Sequence, residues 1–144
     1  MRIVIVGAGL AGQRCAEALR ANGHDGPITM YGAEPYAPYD RPPLSKAILA
    51  GERPNLALRP DAWHRDNDVE LRTDTRITSL DDLRFDRLLI ATGANPVMIP
   101  AVADREDVHV LRTLDDALRL QEALTTARHI AIVGAGLIGQ EVAS

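Results

Sequence analysis

The chain has 144 residues, of which 46% are hydrophobic and 25% are charged, and its formal net charge is −4. This length suits one full core plus part of a second domain, and the negative charge argues against nucleic acid or an anionic membrane as a partner. The single cysteine, Cys15, excludes an internal disulfide and a redox dithiol and is predicted to be a buried apolar residue. Because no apolar run resembles a signal peptide or a membrane span, we expect a soluble, cytoplasmic protein.

The most informative stretch is the strand-like run Ile3–Val6, which leads directly into Gly7-x-Gly9-x-x-Gly12. A strand that turns into a helix at such glycines presents free N–H groups and the positive end of the helix dipole to an anion. The glycines permit the tight turn, the approach of a diphosphate and close packing of the helix on the strand. A purely structural turn is the alternative. The residues predicted to bind a dinucleotide here are Gly7, Gly9, Leu10, Ala11 and Gly12.

A βαβ unit is predicted from the next segment, with a helix over 10–21 and a second parallel strand over 28–31. Glu34 lies 22 residues beyond Gly12, just past the end of that strand. A carboxylate at this place can accept hydrogen bonds from an adenosine ribose, which is our prediction for Glu34. The alternative is an ordinary solvated loop glutamate.

A stiff loop follows, in which Pro35, Pro38, Pro42 and Pro43 exclude regular structure. Residues 44–50 then predict a short helix that ends at Gly51. Lys46 falls in its first turn, where a positive charge opposes the helix dipole, so we expect an acidic partner or site for it. An unremarkable surface lysine is the alternative.

The middle of the chain predicts a short helix over 59–67, strands over 69–72 and 85–91, and another strand or edge segment over 73–80. Trp63 is predicted to pack inward. We expect His64 to lie on the surface and to bind no metal, because no second ligand sits at metal spacing. The last strand is continuously apolar over 88–91, which is typical of a strand covered on both faces.

The end of the chain repeats its beginning. After a predicted helix over 115–127, residues 130–143 match residues 3–16 at 10 of 14 positions and include Gly134-x-Gly136-x-x-Gly139. Two phosphate-binding turns predict two dinucleotides. Because the second helix would stop at Ser144 before completing two turns, we expect the chain to be part of a longer protein.

The order of motifs resembles the FAD-dependent pyridine nucleotide-disulfide oxidoreductase superfamily, in its ferredoxin, putidaredoxin and rubredoxin reductase branch. The motifs are the two glycine turns, Tyr39-Asp-Arg-Pro-Pro-Leu-Ser-Lys46, Phe85-Asp-Arg-Leu-Leu-Ile-Ala-Thr-Gly93 and Leu111-Arg-Thr-Leu-Asp-Asp116. The absence of a Cys-x-x-x-x-Cys pair favours this branch over the glutathione and lipoamide reductases, whose chemistry needs a dithiol.

The resemblance implies a Rossmann-like, three-layer ββα fold of the α/β class, with a parallel sheet and an incomplete second Rossmann unit. Residues 1–111 would belong to the FAD-binding domain, and residues 112–144 would begin the NAD(P)H-binding domain. The family usually carries a β-hairpin of roughly a dozen residues between Ile77 and Phe85, which this sequence lacks. We therefore expect a curtailed antiparallel meander.

The resemblance also implies the roles of individual residues. The first glycine turn would hold the FAD pyrophosphate, and Gly134, Gly136 and Gly139 would open the NAD(P)H site. Lys46 would lie near flavin N5 and pair with Glu141, and these two are the expected catalytic residues. The other expected FAD contacts are Glu34, Arg41, Lys46, Ile77, Thr92, Gly93 and Arg112.

The function expected from the resemblance is electron transfer from NAD(P)H through FAD to a small ferredoxin- or rubredoxin-type protein. One alternative is a non-catalytic, truncated nucleotide-binding module. The other is a related flavoprotein reductase with a small-molecule acceptor. The residues that would distinguish NADH from NADPH are expected beyond Ser144.

Overall fold

The computed structural model describes all 144 residues, which fold as two compact units. Unit 1 consists of Met1–Asp40 and Ala57–Ala94, and unit 2 consists of Arg41–Leu56 and Asn95–Ser144. None of the helices combines the length and the hydropathy that a membrane-spanning helix requires.

Unit 1 is built on a four-stranded sheet in which every pair of neighbouring strands is parallel. The order across the sheet is β3-β2-β1-β4, so the two strands of the predicted βαβ unit lie side by side. This arrangement confirms the predicted α/β class with a parallel sheet. The strands are β1 (Ile3–Val6), β2 (Ile28–Tyr31), β3 (Val69–Arg72) and β4 (Arg87–Ile90).

One buried cluster of unit 1 lies on one face of this sheet, and the buried Val4 and Val6 lie on the other, because side chains alternate between the faces of a strand. Helix α1 (Leu10–Ala21) contributes the fully buried Ala16, and the short helix α2 (Trp63–Asp66) contributes Trp63, which packs against the same cluster. The predictions for α1, β2 and Trp63 are therefore confirmed. The buried cluster consists of Ile3, Ile5, Ala16, Ile28, Met30 and Val69.

The antiparallel meander is absent, which corrects the prediction of a strand over 73–80. Asp74 has a φ of 50°, a left-handed conformation that interrupts an extended chain. Its backbone N–H donates to the Glu34 carbonyl at 2.9 Å instead of to a strand. The one antiparallel pairing in the structure is an isolated bridge between Tyr39 and Ala57.

Strand β4 is shorter and more exposed than the sequence predicts. It lies at the edge of the sheet, and the Ile90 side chain is 67% exposed. The expectation that both faces are covered is therefore wrong for this strand, because a run of apolar residues does not specify which elements will pack against it.

His64 is buried, which corrects its predicted place on the surface. It is only 7% exposed, and its Nε2 lies 2.8 Å from Oε1 of Gln13, a fully buried side chain in the first turn of α1. Gln13 in turn donates to Glu17 at 3.0 Å, and Arg59 donates to the same carboxylate at 2.8 Å. The imidazole of His64 can be buried because this chain of hydrogen bonds provides a partner for its Nε2.

Burial lowers the pKa of His64 below its ordinary value of 6.5, against a smaller opposing effect of Glu17. Protonation of His64 therefore favours the unfolded chain. Its contribution to stability is complete above pH 6.5 and is lost as the pH falls from there towards the folded-state pKa.

We expect urea unfolding midpoints to drop less between pH 7 and pH 5 in His64→Gln than in the wild type. The exposed His109 provides the control, and His109→Gln should keep the full pH dependence; equal slopes for all three proteins would contradict the prediction.

Unit 2 contains two longer helices, α3 (Leu114–Leu124) and α4 (Leu137–Ala143), and two short 3-10 helices, Pro42–Ser45 and Pro100–Val102. Helix α3 begins at a reciprocal capping box, in which the Thr113 side chain accepts from the Asp116 N–H and Asp116 accepts from the Thr113 N–H. The predicted helix over 115–127 is thus confirmed with shifted ends.

Two predictions in unit 2 are wrong. The helix expected over 44–50 is replaced by the 3-10 helix Pro42–Ser45 followed by turns, because Lys46, with φ −122° and ψ −100°, leaves the helical region. The repeat of residues 3–16 in residues 130–143 also implies a strand before Gly134, but none is formed over 130–133, although the sequence there closely matches β1. No strand pairs with this segment, and a strand needs a partner for its backbone hydrogen bonds.

Candidate functional site

The turn between β1 and α1 has two glycines that the fold itself requires. Gly7 has a φ of +119°, and a Cβ there would lie 2.1 Å from the Ala91 carbonyl oxygen. At Gly12 a Cβ would lie 2.0 Å from the carbonyl oxygen of Gly7. Both positions therefore exclude any side chain, because the neighbouring atoms are backbone.

Gly9 differs, since nothing in the chain demands a glycine there. Its φ of −96° and ψ of −167° are ordinary extended values, and no atom lies within 4 Å of the place where a Cβ would stand. The space in front of Gly9 is open, and no side chain caps the adjacent N-terminus of α1. A missing Cβ beside uncapped N–H groups suits the close approach of an anion such as a diphosphate.

The second glycine turn repeats this geometry within unit 2. Gly134 has the same φ of +119°, and a Cβ on Gly139 would lie 2.2 Å from the Gly134 carbonyl oxygen. Gly136 has a φ of −75° and a ψ of −179°, with nothing within 4 Å of a Cβ. As in the first turn, the outer glycines serve the fold and the middle glycine faces open space.

Glu34 lies just after β2 in unit 1 and is half-buried. The hydroxyl of Tyr39 donates to Oε2 of Glu34 at 2.6 Å, and Tyr39 is itself only 8% exposed. Sequence reasoning missed Tyr39, although it stands only five residues beyond Glu34 in the proline-rich loop. The contact holds the carboxylate in a fixed orientation, as recognition of a ribose would require.

Three other predicted residues belong to unit 1. The backbone nitrogen of Thr92 lies 2.8 Å from the place where a Gly7 Cβ would stand, so the residues after β4 adjoin the first glycine turn. Gly93 follows with a φ of 74°. Ile77 is half-buried in the irregular segment after β3. The roles of all three in binding a cofactor stay predictions.

Lys46 and Glu141 are in contact, although they are 95 positions apart in the chain. The Lys46 Nζ lies 2.8 Å from Oε1 of Glu141, and the Ser45 hydroxyl donates to Oε2 at 2.5 Å. The predicted pairing is therefore present. The Lys46 side chain is 56% exposed, so it is not a buried lysine. Hydrogen bonds from Lys46 first and Ser45 second hold the pKa of Glu141 below its ordinary value.

Lys46 is also the single lysine among the 16 basic residues of the chain, all the others being arginine. An ammonium group is a compact point charge with rotatable donors, whereas guanidinium is a planar fork. Lys46 therefore brings the one lysine ammonium group of the chain to the Glu141 carboxylate.

Arg41 and Arg112, both predicted to approach a cofactor, are brought together in unit 2. The Arg41 guanidinium donates to the backbone carbonyl of Arg112. The N–H of Arg112 donates in turn to the carboxylate of Asp116 at 3.1 Å, which links this contact to the start of α3. Their role in binding stays a prediction.

The family model of the pyridine nucleotide-disulphide oxidoreductases matches residues 1–144. The chain belongs to this family. The matched range contains both glycine turns, Lys46 and Glu141.

Two curated pyridine nucleotide-disulphide oxidoreductase relatives show which branch is similar. The chain is 42% identical over 156 residues to the "Biphenyl dioxygenase system ferredoxin–NAD(+) reductase component" of Paraburkholderia xenovorans (strain LB400), covering 99% of this chain and 38% of the relative. It is 35% identical over 159 residues to the "Rubredoxin-NAD(+) reductase" of Pseudomonas putida, covering 100% and 41%. The chain thus spans about two fifths of the length of these relatives.

Solved structures agree with the fold of this pyridine nucleotide-disulphide oxidoreductase chain. The covalent putidaredoxin reductase–putidaredoxin complex matches with a TM-score of 0.86 at 35% identity, covering 99% of this chain and 38% of that one. The NADH:rubredoxin oxidoreductase of Clostridium acetobutylicum matches with a TM-score of 0.83 at 30% identity, covering 99% and 40%. The predicted Rossmann-type fold is therefore confirmed.

The alignments to the two curated relatives run over 156 and 159 residues, more than the 144 residues of this chain. The relatives therefore carry residues that have no counterpart here, as expected from a missing hairpin. The place of the deletion between Ile77 and Phe85 stays a prediction.

Proposed function

We propose that this chain is the N-terminal part of an FAD-dependent NAD(P)H oxidoreductase that passes electrons to a small ferredoxin- or rubredoxin-type protein. The observation that carries the proposal is the repeated glycine turn, in which the middle glycine faces open space both times. One turn would serve FAD and the other NAD(P)H. The names of the reductase relatives support the acceptor class.

The residues of unit 1 suit the adenosine diphosphate half of FAD. Gly9 leaves room for the diphosphate, and the uncapped N–H groups of Leu10 and Ala11 would donate to it. Glu34, oriented by Tyr39, would accept hydrogen bonds from the ribose hydroxyls. Thr92, Gly93 and the backbone near Ile77 remain proposed contacts of the same cofactor.

The residues of unit 2 suit control of charge at a redox centre. Bound FAD supplies the chemistry of accepting a hydride from NAD(P)H and releasing its two electrons one at a time. Lys46 would place a fixed positive charge near the flavin, and Glu141 would hold the ammonium in position. We propose Arg41 and Arg112 as further FAD contacts, and Gly134, Gly136 and Gly139 as the start of the NAD(P)H site.

The domain division into 1–111 and 112–144, with FAD-binding and NAD(P)H-binding roles respectively, is part of this proposal. A cytoplasmic location is a further part of the proposal. No nucleic acid or membrane partner is proposed.

The full-length protein is expected to be yellow when purified and to lose most of its flavin absorbance when NADH or NADPH is added without oxygen. A visible absorption spectrum before and after each nucleotide tests this directly. Bleaching with one nucleotide and not the other would also identify the donor. A protein that binds FAD but is bleached by neither would contradict the proposed reductase.

Steady-state turnover then separates the acceptor classes. We expect ferredoxin- or rubredoxin-type proteins to be reduced faster than small quinones or ascorbate radicals at equal concentration. The reverse order would favour the alternative of a reductase with a small-molecule acceptor. A full-length protein that stays colourless after incubation with FAD would favour the alternative of a non-catalytic nucleotide-binding module.

A further inference from the structure

We infer that Ser45 is a positioning residue for the pair of Lys46 and Glu141, fixing the Glu141 carboxylate so that the ammonium is held in one place. The functional importance of this placement rests on the proposed function, whereas the contact between Ser45 and Glu141 is independent of it. Ser45 would act through Glu141, to which its hydroxyl donates.

The geometry shows two-point fixation of one carboxylate. The Ser45 hydroxyl donates to Oε2 of Glu141 at 2.5 Å, while Lys46 occupies Oε1 at 2.8 Å. A carboxylate held by a single donor can rotate about that contact, whereas two donors on different oxygens fix its plane. The two donors belong to consecutive residues, so one short segment of the chain presents both to the same carboxylate.

The two donors differ in how firmly they are held. Ser45 is only 8% exposed and ends the 3-10 helix that Pro42 and Pro43 begin, where the proline rings fix φ. Lys46 has a flexible side chain that is 56% exposed, and exposed ion pairs contribute little fixed geometry by themselves. The short, buried serine is therefore the anchor, and the lysine benefits from an acceptor that has already been oriented.

The Ser45 hydroxyl has another acceptor nearby, but that acceptor is farther away than Glu141. Its other neighbour is the Pro42 carbonyl oxygen at 3.4 Å, a long contact compared with the 2.5 Å to Glu141. A hydroxyl donates one hydrogen bond, and the shorter distance to a charged acceptor identifies Glu141 as its partner. The same bond favours the ionised carboxylate and so keeps Glu141 able to hold an ammonium.

The direct test is the titration of Glu141 in the full-length protein, followed through the carboxyl ¹³C shift of labelled glutamate and assigned with Glu141→Gln. Ser45→Ala is expected to raise the titration midpoint of Glu141 by about 0.5 pH units or more. Ser45→Thr, which keeps the hydroxyl, should retain the wild-type midpoint. If Ser45→Ala does not fold, the isosteric pair Ser45→Thr and Ser45→Val makes the same comparison.

Ser79 offers a matched control, since its hydroxyl also donates to a carboxylate, that of Asp81 at 2.8 Å, but in an exposed loop of unit 1. Ser79→Ala should leave the Glu141 midpoint unchanged. An unchanged midpoint in Ser45→Ala, or in Ser45→Val relative to Ser45→Thr, would overturn the inference.

The second readout is the rate of flavin reduction by NAD(P)H as a function of pH. Ser45→Ala is expected to slow reduction about threefold to tenfold at neutral pH and to shift the acid limb of the profile upward, with Ser45→Thr restoring both. A wild-type profile in Ser45→Ala would contradict the positioning role. If the wild type itself is not reduced by either nucleotide, the proposed function fails, while the ¹³C titration still decides whether Ser45 sets the state of Glu141.

Discussion

Gly9→Ala is expected to weaken FAD binding at least about tenfold while changing the free energy of unfolding by no more than about 1 kcal/mol. Gly12→Ala is expected to act mainly on stability, lowering the free energy of unfolding by about 3 kcal/mol or more. The difference follows from what surrounds each glycine: open space at Gly9, and a backbone oxygen 2.0 Å from the added Cβ at Gly12. A diphosphate at the turn would occupy that open space.

The measurements are urea unfolding for stability and the quenching of flavin fluorescence for the dissociation constant of FAD. Gly136→Ala is the matched control, because Gly136 has the same extended backbone and the same open surroundings in the second turn. It should leave FAD binding intact and weaken binding of NAD(P)H in the full-length protein. If Gly9→Ala binds FAD as tightly as the wild type, the first turn is not the diphosphate site.

Lys46→Met and Glu141→Gln are each expected to slow anaerobic flavin reduction by about tenfold or more with FAD still bound. The reason is that each substitution removes one side of the 2.8 Å ion pair and leaves the other charge without its counterpart. Lys46→Arg should restore little of the rate, because a planar guanidinium cannot replace a compact ammonium in this contact. Stopped-flow absorbance of the flavin band gives the rate constants.

A double-mutant cycle decides whether the two residues act together. The variant carrying both Lys46→Met and Glu141→Gln should be no slower than the slower single variant, since residues that act as a pair are not additive. Asp107→Asn removes an exposed ion pair with Arg105 of 2.6 Å and serves as the control that should not affect the rate. Independent, multiplicative losses at Lys46 and Glu141 would show that the observed contact has no part in the reaction.

Local signals predicted the first βαβ unit correctly. The bounds of α1 and β2 follow from apolar periodicity and from Gly7 and Gly12, whose reasons are steric and lie within a few residues. The burial of His64 could not be predicted in this way, because its partner Gln13 is 51 residues away in sequence. Likewise, residues 130–133 have a strand's sequence but no pairing strand, and pairing depends on distant parts of the chain.

The candidate site shows the same difference between local sequence signals and contacts of distant residues. The glycine turns were readable from spacing alone, whereas the partnership of Lys46 and Glu141 came from the family resemblance, since nothing local connects residues 95 positions apart. The sequence does not single out Ser45 or Tyr39, although Ser45 adjoins Lys46 and Tyr39 lies five residues beyond Glu34. Their significance depends on a hydroxyl reaching a carboxylate, which only the folded arrangement reveals.

Because the chain has one lysine among its 144 residues, the Lys46 side chain can be modified selectively. Reductive methylation with an isotopically enriched reagent would label the Lys46 amine and the α-amine of Met1 and no other nitrogen in the chain. An endoproteinase selective for lysine would likewise have a single peptide bond to cut, between Lys46 and Ala47. The half-exposed side chain is within reach of such reagents, so the segment after the proline-rich loop can be footprinted without interference from the rest of the sequence.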